Sequence, residues 1–233
     1  MGKRIIQQAR GKGSLTYRTK KKAFRITTSY PDTEGIGEII KLMNVSCYDA
    51  PVAKIRLNDK IFYNIAAEGM YEGQKISVGE NANVEIGNIL PLSSIPVNAS
   101  IYNVETFPGC GGKLVRTSGI SARVLKKENN NVIILLPSKK EKSLNYKSRA
   151  TIGIVSAAGR TEKPILKAGK GWHMAKAIGG RIYPRTSAVK MNAVDHPFGS
   201  GRGKRIKSKI AKRNVPPGAK VGLLRPKRTG RRN

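Results

Sequence analysis

PVAKIRLNDKIFYNIAA, residues 51–67, holds two apolar-rich runs joined by Asn58 and Asp59. Asparagine and aspartate tolerate the positive φ angle that a tight turn requires, whereas most other residues do not. The segment therefore predicts a β-hairpin.

Further strand-like runs flank this hairpin on both sides. A first strand is predicted over residues 37–47, and two more follow over 75–78 and 83–90, separated by glycine-containing turns. Short strands at such close spacing are typical of a small β-barrel.

A second set of strand-like runs begins after residue 89, where prolines become frequent. The Glu128-Asn129-Asn130-Asn131 break in this set predicts another hairpin turn. Helix signals are scarce throughout, so the fold class is mainly β, with two small barrels in series. The runs of the second set are SIYNVE (100–105), KLVRTSG (113–119), ISARVLKK (120–127), NVIILLP (131–137) and ATIGIVSAAG (150–159).

The formal charge of the 233-residue chain is +31, from 45 basic and 14 acidic residues. Residues 1–25 hold nine basic residues and no acid, and residues 163–233 hold 20 basic residues against Asp195. The body between them, residues 26–162, holds 16 basic and 13 acidic residues. A net charge this large predicts a polyanionic partner. Its distribution predicts two cationic extensions on a nearly neutral body.

The extensions differ from the body in pattern as well as in charge. The first shows neither a helical nor a strand period, and the last 36 residues have too few apolar side chains to offset the entropy of ordering. Residues 163–205 read as an irregular loop in which glycine, proline and aromatic residues interrupt the lysines and arginines. Cations neutralise RNA phosphates and aromatic rings stack on unpaired bases, so this loop predicts RNA binding. A solvated tail is the alternative.

Enzyme chemistry finds little support in the sequence. His196 adjoins Asp195, but a histidine packed in a turn explains this pair more simply than catalysis does.

Two cysteines, Cys47 and Cys110, could form one disulfide, although a chain with a core does not need it and reduced thiols are expected. The two cysteines and two histidines favour neither a zinc site nor another metal, and no cofactor is expected.

Two glycine-containing motifs resemble phosphate loops. GCGGK at 109–113 lacks the spacing of such a loop and predicts a tight turn. AGRTEKP at 158–164 allows two interpretations: another turn, or a phosphate contact made by Arg160 and Lys163.

No run approaches the roughly 20 consecutive apolar residues that span a bilayer, so no membrane partner is expected.

Several motifs in the same order resemble the universal large-subunit ribosomal protein L-two family, in its archaeal and eukaryotic branch, over essentially the whole chain. They are MGKRIIQQARGKGSLTYR (1–18), NILPLSSIPV (88–97), NVETFPGCGGK (103–113), RATIGIVSAAG (149–159), AGRTEKPILKAG (158–169), MNAVDHPFGSGRGK (191–204) and RNVPPGAKVGLLRPKRTGR (213–231).

The resemblance implies a mainly β fold, with an oligonucleotide-binding-type (OB) barrel followed by an SH3-like barrel and long basic, irregular extensions. The corresponding segments are a basic N-terminal extension (1–25), the OB-like barrel (26–88), the SH3-like barrel (89–162) and a basic C-terminal extension (163–233). It also implies a structural, non-enzymatic protein of the cytoplasmic ribosome that binds ribosomal RNA. Family members support subunit association and assembly of the peptidyl transferase centre.

The family's Asp-His-Pro motif corresponds to residues 195–197, which implies a positioning role for His196. Ser200 and Arg202 interrupt a run that is richer in glycine elsewhere in the family, and Trp172 stands in a tract that is often richer in histidine.

The expected partners are large-subunit ribosomal RNA and other ribosomal proteins, without DNA, a membrane or a second copy of the chain. A DNA-compacting protein is the rival reading, which explains the charge but not the two-barrel body. The predicted stacking residues are Trp172, His173 and His196. The predicted phosphate contacts are Lys3, Arg4, Arg10, Lys12, Lys20, Lys21, Lys22, Arg160, Lys163, Lys167, Lys170, Arg181, Arg185, Arg202, Lys204 and Arg205.

Overall fold

The structure is a computed structural model that describes residues 2–18, 25–178, 182–204, 206 and 210–226. The chain divides into two compact units. Unit 1 combines residues 1–20 with residues 167–233, and unit 2 is the continuous segment 21–166.

Unit 2 is mainly β, as the sequence predicts. Ten strands form one sheet in the order β3-β2-β1-β4-β5-β10-β6-β7-β8-β9, and every neighbouring pair is antiparallel except β4 and β5. The strands are β1 (Gly35–Met43), β2 (Val52–Leu57), β3 (Lys60–Ile65), β4 (Lys75–Val78), β5 (Ile89–Pro91), β6 (Ser100–Tyr102), β7 (Ala122–Glu128), β8 (Asn131–Leu135), β9 (Glu141–Asn145) and β10 (Arg149–Ile152).

The two predicted hairpins are present. Strands β2 and β3 pair in register from Val52↔Ile65 to Leu57↔Lys60, and Asn58 in their turn has a φ of 50°. Strands β7 and β8 flank Asn129, whose φ is 37°. The left-handed conformation is therefore at an asparagine in both turns.

The strand predictions need correction at several places. The strand predicted over 83–90 is limited to Ile89–Pro91, because the chain turns at Gly87, whose φ is +98°. Residues 113–119 form no strand: Val115 has a φ of 56°, and only Leu114 makes an isolated bridge, to Val104. Strand β9 was missed because its sequence, EKSLN, contributes only Leu144 to the buried core.

The core of unit 2 is a single cluster of buried aliphatic and aromatic side chains from both halves of the sheet. Ile55, Ile76, Ile101 and Ile134 are all fully buried members of it. Burial alternates along β4, where Ile76 and Val78 are buried, and along β8, where Val132 and Ile134 are buried, as the period-2 pattern of a half-buried strand requires.

Unit 1 contains little regular structure. Its helices within the described residues are the α-helices α1 (Ile6–Gly11) and α2 (Ala168–Ile178) and a short 3₁₀ helix at Ala188–Lys190. Strands β11 (Ile210–Ala211) and β12 (Leu223–Leu224) form a short parallel pair. No helix among the described residues is both long and apolar enough to cross a membrane.

Candidate nucleic-acid interface

The positive charge of the chain is concentrated in unit 1. This unit holds 25 of the 45 basic residues and one of the 14 acidic residues, so its formal charge is +24. Among its described residues the single ion pair joins Lys3 and Asp195, whose Nζ and Oδ1 atoms are 3.7 Å apart. Apart from Lys3, the described cations of this unit thus lack an acidic partner and are available to an external anion.

The N-terminal segment contacts the segment around Val194 within unit 1, which the sequence did not indicate. The Lys3 amide donates a hydrogen bond to the carbonyl oxygen of Val194 (2.8 Å), next to the Lys3–Asp195 ion pair. Ile5, at the start of α1, is only 5% exposed. An apolar anchor and a backbone hydrogen bond therefore hold the N-terminal cations beside those of the C-terminal segment.

The segment around His196 forms a closed loop. The amides of Asp195 and His196 both donate to the Asn192 carbonyl oxygen, at 3.0 and 3.2 Å, and the Gly199 amide donates to the His196 carbonyl oxygen (2.9 Å). The Phe198 amide donates to Nδ1 of His196 (3.0 Å), and the two rings lie 5.0 Å apart at a tilt of 57°. Because Nδ1 accepts a hydrogen bond, a neutral His196 carries its proton on Nε2.

Ser200 and Gly199 close this loop from the other side. The Ser200 amide donates to the Met191 carbonyl oxygen (3.1 Å), and its Oγ accepts a hydrogen bond from the Ala193 amide (2.9 Å). A Cβ atom on Gly199 would lie 2.3 Å from the Asn192 carbonyl oxygen, so this close approach requires glycine. Ser200 thus has a structural role in closing the loop that contains His196.

A cavity of about 940 Å³ opens beside His196. It is lined by apolar side chains such as Ile5 and Met191 and by the cations Arg10 and Arg185. A lining that mixes apolar side chains with guanidinium groups suits a ring and an attached anion.

Residues 168–178 form an α-helix, which corrects the prediction of an irregular loop there. The exposed Trp172 contacts His173 edge to face, with ring centroids 5.0 Å apart. The Lys176 ammonium lies 5.5 Å from the centroid of the Trp172 ring, one helical turn further on. Lys170 lies on the same helix, so α2 carries two exposed rings, Trp172 and His173, and two cations, Lys170 and Lys176.

Arg160 has a defined place in unit 2, within a short 3₁₀ helix at Ala158–Thr161. Its Nε donates to the Ser118 hydroxyl (2.7 Å), and its Nη2 lies 3.9 Å from a carboxylate oxygen of Asp49. The AGRTEKP motif therefore forms a turn in which the guanidinium is held by protein groups on one side. Its side chain is still 38% exposed, which leaves part of it open to a phosphate.

Gly119 packs against the 3₁₀ helix that contains Arg160, and this close packing requires glycine at position 119. Its φ is +74°, and a Cβ atom there would lie 2.6 Å from the Cα of Ala158. Gly119→Ala should therefore lower the free energy of unfolding by about 2–4 kcal/mol, from backbone strain and overpacking together. Urea denaturation measures this loss.

Gly159→Ala, within the 3₁₀ helix that Gly119 packs against, is the matched control, since its φ is not positive and the nearest atom to its Cβ would be 3.7 Å away. It should change stability by less than about 1 kcal/mol. Equal losses for the two variants would contradict the proposed clash at Ala158.

The predicted residues are divided between the two units. Lys3, Arg4, Arg10 and Lys12 lie with Arg185 and His196 in unit 1, which also contains Lys167, Lys170, Trp172, His173, Arg202 and Lys204. Arg160 and Lys163 belong to unit 2. Lys20, Lys21, Lys22, Arg181 and Arg205 lie outside the described residues.

Lys176 is a residue that sequence reasoning missed. The signal was its spacing of four residues from Trp172, which brings the two side chains together only if the segment is helical.

The structure shows both cysteines as free thiols. Burial raises the pKa of Cys110, but hydrogen bonds involving Phe107 and Thr106 lower it further than burial raises it. Within the described part of the chain, no three histidine, cysteine or acidic side chains come together as a metal site would need.

Comparison with known proteins identifies the family. Residues 85–217 match the family described as Ribosomal Proteins L2, C-terminal domain. The chain is 42% identical to the large ribosomal subunit protein uL2 of Methanococcus maripaludis over the full length of both chains. The uL2 of Natronomonas pharaonis is 41% identical over 99% of this chain and 97% of its own. For Archaeoglobus fulgidus uL2 the identity is 40%, over 99% of each. Because these matches extend from end to end, the chain belongs to the uL2 family of large ribosomal subunit proteins.

Proposed function

We propose that this protein is a structural constituent of the large ribosomal subunit in the cytoplasm, where it binds ribosomal RNA. In this role it supports subunit association and assembly of the peptidyl transferase centre during translation. The observation that carries the proposal is the charge of unit 1, +24 with a single internal ion pair among the described residues. Only a dense polyanion such as RNA neutralises so many neighbouring cations at once.

The body would bind as two barrels, an OB-like barrel over 26–88 and an SH3-like barrel over 89–162, between basic extensions at 1–25 and 163–233. The strand pairing supports this division. Strands β1–β4 precede residue 89 and β5–β10 follow it, and the parallel β4–β5 pair joins the two sets.

The phosphate contacts would come from the exposed cations of both extensions and from Arg160, and the base contacts from Trp172, His173 and His196. Trp172 and His173 are exposed on α2 beside Lys170 and Lys176. Aromatic rings next to cations are a common arrangement for holding unpaired bases.

The role of His196 would be positioning rather than catalysis. Its Nδ1 accepts the Phe198 amide, and the neighbouring Asp195 pairs with Lys3 rather than with the imidazole. The chain would act as a single copy among other ribosomal proteins, without binding DNA.

Sedimentation tests the proposal directly. The tagged chain, expressed in an archaeal host, should move with the large subunit on a sucrose gradient and stay bound through a moderate salt wash. Recovery in the free fraction, or with chromosomal DNA after RNase treatment, would contradict it.

A further inference from the structure

The outward face of strands β1–β4 has an uneven charge distribution. Register places Lys75, Glu38, Arg56 and Ile61 side by side across the four strands. A second row contains Lys41, Lys54 and Tyr63, because Lys41 pairs with Lys54 and Lys54 with Tyr63. Directly paired residues of antiparallel strands lie on the same face, so these seven side chains, together with Ile36, form one surface, named here the β1–β4 face.

The β1–β4 face is positively charged, although the segment to which it belongs is negatively charged overall. Residues 26–105 contain ten acidic and five basic residues, which gives a net charge of −5. Four of the five basic residues lie on the β1–β4 face, but only one of the ten acids, Glu38. Most cations of the acidic segment 26–105 therefore lie on one face of its sheet.

Most of these cations have no acidic partner within the protein. Arg56 pairs with Glu38 at 3.1 Å, whereas Lys41, Lys54 and Lys75 form no ion pair within the described residues. Lys41 and Lys54 are moreover directly opposite each other, an arrangement that destabilises a sheet. The protein thus keeps a like-charge pair that an external anion would neutralise.

Apolar side chains lie between the cations. Ile36 is 66% exposed and Ile61 is 50% exposed, and Tyr63 is half-buried beside Lys54. Exposed isoleucines on a sheet face offer flat contacts for bases and riboses, and the tyrosine ring offers a stacking surface.

We propose that the β1–β4 face is a second RNA-binding surface, separate from the extensions, which holds a segment of ribosomal RNA. The phosphates contact Lys41, Lys54 and Lys75, while Tyr63 and Ile61 pack against bases. This inference rests on the proposed function, since it takes ribosomal RNA as the ligand. Charge favours RNA over a protein partner, because the face presents four cations and a single acid, Glu38, which pairs with Arg56.

Filter binding of the full chain to protein-free large-subunit ribosomal RNA, across a series of salt concentrations, tests the proposal. K41Q/K54Q should reduce the slope of log affinity against log salt by about 1–2, and the affinity at physiological salt by roughly tenfold. The matched control is K60Q/K140Q, two exposed lysines outside the β1–β4 face, which should leave both quantities unchanged. The thermal midpoint of K41Q/K54Q should equal or exceed that of the wild type, because a repulsive pair is removed.

The outcomes separate this proposal from the proposed function. Wild-type affinity and slope retained in K41Q/K54Q would overturn the β1–β4 face and leave the proposed function intact. Failure of the wild-type chain to bind large-subunit RNA would overturn both. Protection of Lys41 and Lys54 from acylation in intact subunits, without any effect of K41Q/K54Q on RNA binding, would identify a protein partner and reject RNA as the occupant.

Discussion

Replacing Glu105 with glutamine should lower the free energy of unfolding by about 3 kcal/mol or more. The Glu105 carboxylate is completely buried and pairs with the Arg149 guanidinium at 3.1 Å. It also accepts hydrogen bonds from the amides of Arg149 (2.9 Å), Gly111 (3.0 Å) and Gly109 (3.3 Å). Glutamine would turn an NH₂ group toward some of these donors and leave Arg149 without its counter-charge.

Glu38→Gln is the matched control for this prediction. The Glu38–Arg56 pair has the same 3.1 Å separation, but both side chains are about half exposed. Exposed pairs contribute little, so this variant should lose less than about 1 kcal/mol. Urea denaturation of both variants provides the comparison, and equal losses would show that burial does not decide the strength of these pairs.

The Glu105–Arg149 pair belongs to a wider buried network. The Arg149 guanidinium lies 5.4 Å from the centroid of the Tyr30 ring, and the Tyr30 hydroxyl donates to the Asn103 carbonyl oxygen (2.6 Å). Burial raises the pKa of Tyr30 well above its ordinary value, so the hydroxyl keeps its proton and remains a donor at neutral pH. Thr151 on β10 contacts both Tyr30 (2.8 Å) and Asn64 on β3 (3.1 Å). The network therefore links distant parts of the unit 2 sequence.

The sequence predicted the local parts of the fold and not this network. The turn at Asn58 could be recognised because the required φ depends on that residue and its neighbours. Tyr30 and Thr151 are 121 positions apart, and neither residue type indicates a buried partner. Long-range polar pairing depends on the register of the whole sheet, which local patterns do not define.

The site was predictable in composition but not in arrangement. Charge and motif reasoning identified Arg10, Arg185 and His196 separately, and the structure places all three at one cavity. The contact between Lys3 and Val194 joins residues 191 positions apart, so no local pattern could show it. Helix α2 was missed because Gly169 and Gly171 disfavour a helix, although Ala175 is buried on one face of it.

Neutralising four cations of unit 1 should have the largest effect on RNA binding. Lys167, Lys170, Arg202 and Lys204 are exposed, and none of them forms an ion pair within the described residues. Their simultaneous replacement by glutamine should reduce the salt slope of binding by about 3, since each phosphate contact releases nearly one counterion. If affinities converge near 1 M salt, the loss at physiological salt is roughly 10²–10³-fold.

Single replacements should each lower RNA affinity far less, because binding is distributed over many phosphate contacts.

The control for the quadruple variant replaces four lysines of unit 2 with glutamine in the same way: Lys126, Lys127, Lys139 and Lys140. Filter binding should give this control a clearly smaller change in slope, because unit 1 carries +24 of the +31 charge. Equal changes in slope for the two quadruple variants would mean that RNA is bound by the total charge of the chain. A dominant loss from a single unit 1 residue would instead point to one specific contact. A large loss confined to the unit 1 quadruple variant is the result expected if the cations of unit 1 form the main RNA-binding surface.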